Sequence, residues 1–565
     1  MNQLINQLLQ KAIQKFHAGS LNESEDGLKK ILMNQPKHFD ALHIMGVIRG
    51  IKQHHQEALD YFKRALKIDP NHGHLNFNIA KAYSEVGQDE RALKYHLTAI
   101  RIDPNVPEWW LNYGKCLLSL KKPDQAIIAF ERALELHPNY AEAYTNLGCA
   151  HMELKSLAQA LASFDRALQI NSNLAEAWSG RGNVLLEFKN HEESLASYGK
   201  AININPKYAE AWYNRGNALL ELKKFEESLE SYDKAILINP QYAEAFFNKS
   251  IIFLLNGNFE LGWQFYEWRW KQKIITSQKR NFIQPIWLGN ADISGKIILL
   301  HAEQGLGDVI QFCRYASLVK SRGAKVILEV PQVLFNLLKS LNGVDILVKS
   351  GSELPDFDYH CPLLSLPLAL NTRLESIPSP TPYLKVNASK SREWADKLGE
   401  RKKLRLGIAW SSLSNFKNDH LRSMRFSDFI NCLPEDDFEI ICLQKEIKPS
   451  DQDFFEKTKI KIGFFGPELK DFSDTAGLAS CLDLVISTCT SVPHMTAALG
   501  IPTWILLSYV PDYRWMLDRE DSPWYRTAKL YRQQSAGDWD GVINRVKRDL
   551  ERFKLGELQF EAQRA

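Results

Sequence analysis

Five short segments carry side chains able to do chemistry together. Gly305-Leu306-Gly307-Asp308 follows the apolar run 296–301, and Glu303 stands five residues before the aspartate. A carboxylate placed where a strand turns into a helix can take a proton from an attacking hydroxyl. It can equally cap the helix by accepting free N–H groups. Thr488, Cys489, Thr490 and Ser491 follow a second apolar run and lead into another candidate helix containing His494. Hydroxyls, free N–H groups and the helix dipole at such a turn suit a diphosphate. The same Thr and Ser can simply cap the helix, and His494 can be a donor to phosphate or sugar or a structural histidine. Lys417 and Arg422 lie after run 405–410 and add positive charge. Of the two, Arg422 is the better match to a planar, bidentate phosphate contact. Gln444 and Lys445 end run 438–443, and Asp474 and Thr475 begin a further candidate helix.

The elements that must position these residues alternate. Runs at 296–301, 325–330, 344–348, 405–410, 438–443, 482–487 and 502–507 read as buried parallel strands with helices between them. That is the pattern of a doubly wound α/β fold. The Pro-rich stretch IPSPTPYLKV (377–386) interrupts it. The reading therefore places one Rossmann-like lobe at 291–387 and a second at 400–550, with a cleft between them and a tail at 551–565.

The first half repeats. Prolines stand at 36, 70, 104, 138, 206 and 240, and Ser172 fills the missing place in a 34-residue period. Each unit contains two amphipathic helices, with small residues such as Gly148, Gly182 and Gly216 letting them approach. Proline ends each second helix because it lacks an N–H. Seven units and a degenerate eighth fill 1–273, followed by a linker at 274–290. The eighth ends in Trp263, Phe265, Tyr266, Trp268 and Trp270, which are expected to cap the array and dock it on the next domain. A sugar-stacking platform is the other reading of these rings. Asn78, Asn112, Asn146, Asn214 and Asn248 recur at the same period, with Gly180 interrupting. An Asn side chain both donates and accepts, so such a row can pair with the backbone of an extended peptide.

The chain has 565 residues and a formal net charge of +3, with 70 basic against 67 acidic residues. This balance argues against a dedicated nucleic-acid surface. No apolar run is long enough to span a membrane, and the amphipathic start lacks the features of a signal peptide. The eight cysteines form no C-x-x-C pair and read as reduced core thiols. Cytoplasm is the expected compartment, and neither an Asp-x-Asp motif nor a P-loop is expected.

The repeats resemble the tetratricopeptide-repeat (TPR) family. Segment 305–323 (GLGDVIQFCRYASLVKSRG) resembles the first strand–loop–helix of the heptosyltransferase-like family, glycosyltransferase family 9, and 486–507 (ISTCTSVPHMTAALGIPTWILL) resembles its second signature. Segments 407–424 and 512–533 resemble their equivalents in bacterial TPR–glycosyltransferase fusions. The resemblance implies an α solenoid joined to a GT-B pair of lobes. It implies metal-independent, inverting transfer from a nucleotide-sugar co-substrate to Ser/Thr of a protein held in the TPR groove, with no other cofactor. Asp308 matches the family's proposed base, with Glu303 as the other candidate. Gly305, Gly307, Arg422, Gln444, Lys445, Thr488, Thr490, Ser491 and His494 would hold the nucleotide sugar. Cys489 stands where the family usually carries an Asp that contacts the donor sugar, so the resemblance does not extend to heptose as donor. Transfer to a lipid-linked glycan, or a scaffold with an inactive transferase fold, are the alternative readings.

Overall fold

A computed structural model of the chain describes residues 2–272, 280–412, 422–434 and 437–558. It falls into two compact units, Met1–Leu222 and Lys223–Ala565.

Among the described residues sixteen helices run from Asn2–His17 to Phe259–Tyr266, two to each repeat. From the second pair on, first helices begin at 39, 73, 107, 141, 175, 209 and 243, and second helices at 55, 89, 123, 157, 191, 225 and 259. Both series step by 34. The turn inside each pair is equally periodic. Residues 19, 53, 87, 121, 155, 189, 223 and 257 all have positive φ, between 57° and 78°. Gly fills three of these places; Gln53 and four lysines accept the left-handed backbone at a steric cost.

Packing explains the small residues. A Cβ on Gly46, Gly114, Gly148 or Gly182 would lie 2.3–2.8 Å from the ring of Phe62, Phe130, Phe164 or Tyr198, sixteen residues later on the paired helix. Gly180 has its own reason. Its Cβ would meet Phe164 at 2.4 Å, so the ring occupies the space that an Asn side chain would fill. Ser172 replaces proline without loss because the array uses that residue's carbonyl. Trp178 Nε1 donates to Ser172 O at 2.9 Å, as Trp110 and Trp212 donate to Pro104 O and Pro206 O.

The second unit begins with Phe225–Ile238 and the eighth pair, Ala243–Leu255 with Phe259–Tyr266. The compact division lies inside the array because its aromatic end belongs to the α/β core. Trp263 is 2% exposed and packs on Phe312 and Tyr513 at 6.0 and 5.8 Å between centroids.

Two all-parallel sheets follow. The first contains β1 (Ile297–His301), β2 (Lys325–Val330), β3 (Ile346–Lys349) and β4 (Tyr359–Pro362) in the order 3-2-1-4. The second contains β5 (Leu404–Ala409), β6 (Phe438–Cys442), β7 (Ile462–Phe464), β8 (Leu484–Thr488), β9 (Thr503–Leu507) and β10 (Ala528–Arg532). Its order, 10-9-8-5-6-7, is the Rossmann order read from the other edge. The seven expected strands are present within two residues. The three others, β4, β7 and β10, were missed: β4 and β7 are short, β4 contains His and Pro, and β10 alternates polar residues at a sheet edge. The helix Trp539–Lys554 covers the second sheet with Val542, Ile543, Val546 and Leu550. Segment 377–386, the Pro-rich stretch that interrupts the strand series, is packed: Tyr383 and Leu384 donate their N–H groups to Ala498 O, and Tyr383 Oη donates to Ile310 O at 2.8 Å. No helix among the described residues is long and apolar enough to cross a membrane.

Candidate functional site

In open α/β sheets ligands bind outside the carboxyl ends of the strands, where the strand order reverses. The reversals here lie between β1 and β4 and between β5 and β8. The helices that follow β1 and β8, Leu306–Phe312 and Ser491–Ala498, pack on each other. Gly307 makes that approach possible: a Cβ there would stand 2.9 Å from His494 Cδ2 and 3.6 Å from Ser491 Cα. The fold thus brings the GLGD turn and the Thr/Ser turn together.

Asp308 occupies the third position of its helix. Its Oδ2 accepts from Gly305 N at 2.8 Å, so it does cap the helix. Its Oδ1 pairs with Arg514 Nη2, on the turn after β9. Arg514 is also held by Asp512, whose two oxygens lie 2.8 and 2.9 Å from Nη1. Burial lifts the Asp308 carboxyl above the ordinary aspartate range, against the pull of Arg514 and the Gly305 N–H. Burial thus makes this carboxyl easier to protonate than a solvated aspartate.

Thr490 caps the other helix, its Oγ1 accepting from Val492 N at 3.3 Å, while Ser491 is the first helical residue and is half-buried. His494 is buried, stacked on Trp515 at 5.1 Å, with Nδ1 2.9 Å from Tyr525 Oη. Burial and the nearby Arg514 draw its pKa down to about 3, so it is neutral. Cys489 Sγ accepts from Trp515 Nε1 at 3.0 Å, and burial pushes the thiol up to about 11. Arg422 is half-buried, and its charge acts on Asp308, Cys489 and His494. Two buried polar atoms in these elements, Thr488 Oγ1 and Arg514 Nε, have no hydrogen-bond partner among the described residues. Lys417 lies outside the described residues.

Other expected site residues have different duties. Both oxygens of Glu303 engage Arg269, at 2.8 and 2.9 Å, and Oε1 also accepts from Leu364 N. The Glu303 side chain is 1% exposed and that of Arg269 is 0% exposed. This pair ties the end of the array to the first sheet and engages both oxygens of the carboxylate proposed as the alternative base. Gln444 braces the end of β5: its Oε1 accepts from Trp410 N and Ser411 N at 2.8 and 3.0 Å, and Lys445 beside it is exposed. Asp474 accepts from Lys470 N and pairs with Lys390, at the start of its helix with Thr475. Contrary to the expected absence of an Asp-x-Asp motif, that spacing occurs at 356–358, 451–453 and 538–540. Asp358 accepts from Ile297 N, Asp451 from Trp410 Nε1 and Phe426 N, and Asp538 from Gly541 N.

Arg514, Asp512 and Trp515 were not singled out from sequence, although they lie in segment 512–533. Arg314 was also missed. It is 2% exposed and donates to Trp524 O, Pro378 O and Tyr383 Oη at 2.6, 3.1 and 2.9 Å. Its signal was an arginine inside an otherwise apolar helical stretch.

The repeat asparagines are half-buried on the first helices. In the first unit, Asn112 and Asn146 each donate to the carbonyl four residues earlier, at 2.9 and 2.8 Å, and Asn78 Nδ2 lies 2.9 Å from His43 Nε2. Asn214 is on the helix Ala209–Glu221. In the second unit Asn248 Nδ2 lies 3.5 Å from Tyr232 Oη.

Comparison with known proteins bears on the repeats. Tetratricopeptide-repeat profiles match residues 52–111, 107–140, 141–174 and 209–242, and a TPR-repeat profile matches 189–223. The chain is 24% identical over 329 residues to protein FlbA of Caulobacter vibrioides, covering 54% of each chain. It therefore spans about half the length of that curated relative. Among solved structures, a tetratricopeptide-repeat protein from Parabacteroides merdae is 20% identical, covers 42% of this chain and 94% of its own, and has a TM-score of 0.38. YrrB, described as a TPR protein with an unusual peptide-binding site, is 26% identical, covers 33% of this chain and 97% of its own, with a TM-score of 0.27. The matched segments make the helical array a protein-interaction domain of the tetratricopeptide type, joined in one chain to an α/β part of parallel sheets.

Proposed function

We propose that the α/β part is a GT-B glycosyltransferase and that the repeats hold its protein acceptor. The observation that carries this reading is the meeting of the β1 and β8 turns, with Asp308 at one and the Thr490–Ser491 helix start at the other. In this reading the donor's diphosphate lies at the helix start and near Arg422. The acceptor hydroxyl gives its proton to Asp308 as its oxygen attacks the anomeric carbon. The bond to the diphosphate breaks on the opposite face, which inverts the configuration. The diphosphate leaves with the bonding pair and is stabilised by N–H groups, hydroxyls and the arginine. Each Asp308 oxygen keeps a further lone pair beyond the bonds it already makes. Arg514 and Asp512 orient the carboxylate, and neutral His494 supports the Gly307 backbone. The nucleotide sugar is a co-substrate, and the proposal includes no metal.

Transfer to a protein acceptor tests the division of labour. Removing residues 1–140 should reduce transfer to the acceptor far more than hydrolysis of the donor, because tethering raises the effective concentration of the acceptor. Equal transfer by the truncated and full-length chains would refute the acceptor role of the array. One observation favours a second reading, a scaffold with an inactive transferase fold: both Asp308 oxygens are already engaged. Donor hydrolysis by the pure chain separates the two.

A further inference from the structure

We propose that the repeat array contains a socket for a basic side chain, Arg or Lys, of the peptide it binds. This inference rests on reading the first-helix face as a peptide groove and is independent of sugar transfer. The socket lies wholly within Met1–Leu222. It is a cavity of about 540 Å³ between the helices Gly73–Glu85 and Pro107–Ser119, floored by the helix Asp89–Ile102.

Charge selects the ligand. Glu85, Asp89, Glu108 and Glu142 line the cavity against Lys81 and Lys115, an excess of two negative charges. Lys115 is already paired with Glu142 at 2.5 Å. Glu85 and Glu108 are exposed and make no ion pair among the described residues. The floor adds an independent sign. His96 lines the cavity, is 2% exposed, and its Nδ1 has no hydrogen-bond partner among the described residues. Ser84, on the wall, has its hydroxyl beside the Cys116 thiol. Burial holds His96 at about 4, so its ring is neutral. A guanidinium, with five donors and no acceptor, matches a socket rich in acceptors.

The socket does not stand alone. A second cavity of about 530 Å³ shares Lys81 and Glu85 with it and adds Val47, Ile51 and Phe62. Asn112 lines the first cavity and Asn78 the second. A peptide lying along this face would meet backbone-pairing amides, an acidic socket and an apolar neighbour in succession.

The test uses the full-length chain and three fluorescein-labelled dodecapeptides of glycine and serine. Each carries one leucine, and four positions before it stands Arg, Ala or Glu. Fluorescence anisotropy should give affinities in the order Arg, Ala, Glu, with about tenfold or more between Arg and Glu. The gap should shrink as salt is raised. The double variant Glu85→Gln, Glu108→Gln, with an unchanged circular dichroism spectrum, should lose the preference and keep its affinity for the Ala peptide. Equal binding of the three peptides, or an undiminished preference in the double variant, would overturn the socket alone. Failure of all three to bind would overturn both the socket and the groove reading.

Discussion

Asp308 and Glu303 lie five residues apart and both face an arginine, yet neutralisation should act on them differently, because Asp308 gives Arg514 one oxygen and Glu303 gives both of its oxygens to Arg269. In Asp308→Asn the side-chain oxygen still accepts from Gly305 N, and Arg514 keeps both oxygens of Asp512. The variant loses one hydrogen bond between charged groups, worth about 1.5–3 kcal/mol. It also loses the cost of an ionised carboxyl that burial has lifted above its ordinary range. The two terms oppose, so its stability should stay within about 1 kcal/mol of the parent, while turnover falls by roughly two orders of magnitude or more. In Glu303→Gln, fully buried Arg269 loses its two-pronged partner and keeps Glu267 and Ser365. Burial raises the Glu303 carboxyl as well, but both prongs are lost here, and breaking a buried pair costs about 3–5 kcal/mol. Urea unfolding, followed by the signal of the Lys223–Ala565 unit, gives the stabilities, and nucleoside-diphosphate release gives the turnover. An Asp308→Asn chain as unstable as Glu303→Gln would show that Asp308 is structural. One with near-normal turnover would remove it as the base.

Arg422→Ala should weaken nucleoside-diphosphate binding by about 1.5–3 kcal/mol in calorimetry, the range for a hydrogen bond to a charged group. Unchanged affinity would move the phosphate elsewhere. Gly180→Asn would complete the row of asparagines and should instead destabilise the array by about 1–3 kcal/mol, because its Cβ meets Phe164 at 2.4 Å; a neutral result would contradict the packing argument. Acid should weaken both units. His43 and His96 in the first are held at about 4, and His301 and His494 in the second at about 3, by burial. Below their ordinary value of about 6.5 the unfolded chain takes up protons that the folded chain refuses. Unfolding free energy should therefore fall as pH drops from about 6.5 towards 4, by up to roughly 1.4 kcal/mol per pH unit for each histidine. His494→Gln should flatten the slope for the second unit, and an unchanged slope would refute its neutral burial.

The repeat architecture was legible because a helix pair of fixed length writes its period into Pro, Gly and Ala positions. Ser172 and Gly180, which break the pattern by eye, keep it physically: one preserves a carbonyl and the other makes room for a ring. The central strands were legible as apolar runs. The edge strands β7 and β10 and short β4 were not, since their residues are few or polar. At the site, the approach of the two turns could be anticipated, but the partners could not. Arg514 reaches Asp308 across 206 residues of chain, and nothing local in the sequence marks such a pairing. Glu303 illustrates the converse. Its spacing suggested chemistry, and only the burial of Arg269, from the end of the array, reveals a structural bond.

Nucleotide-sugar binding and turnover by the pure chain tests the central claim most directly. The chain is screened by thermal shift against nucleoside diphosphates and their sugars, and product release is then measured for any that bind. The account predicts that at least one sugar nucleotide raises the unfolding midpoint of the native chain, since a ligand bound only by the folded state stabilises it. The same compound should be slowly hydrolysed, and Asp308→Asn should keep the shift and lose the hydrolysis. If no nucleoside diphosphate or nucleotide sugar shifts the midpoint, or if the shift comes without release of a diphosphate, the transferase assignment is contradicted.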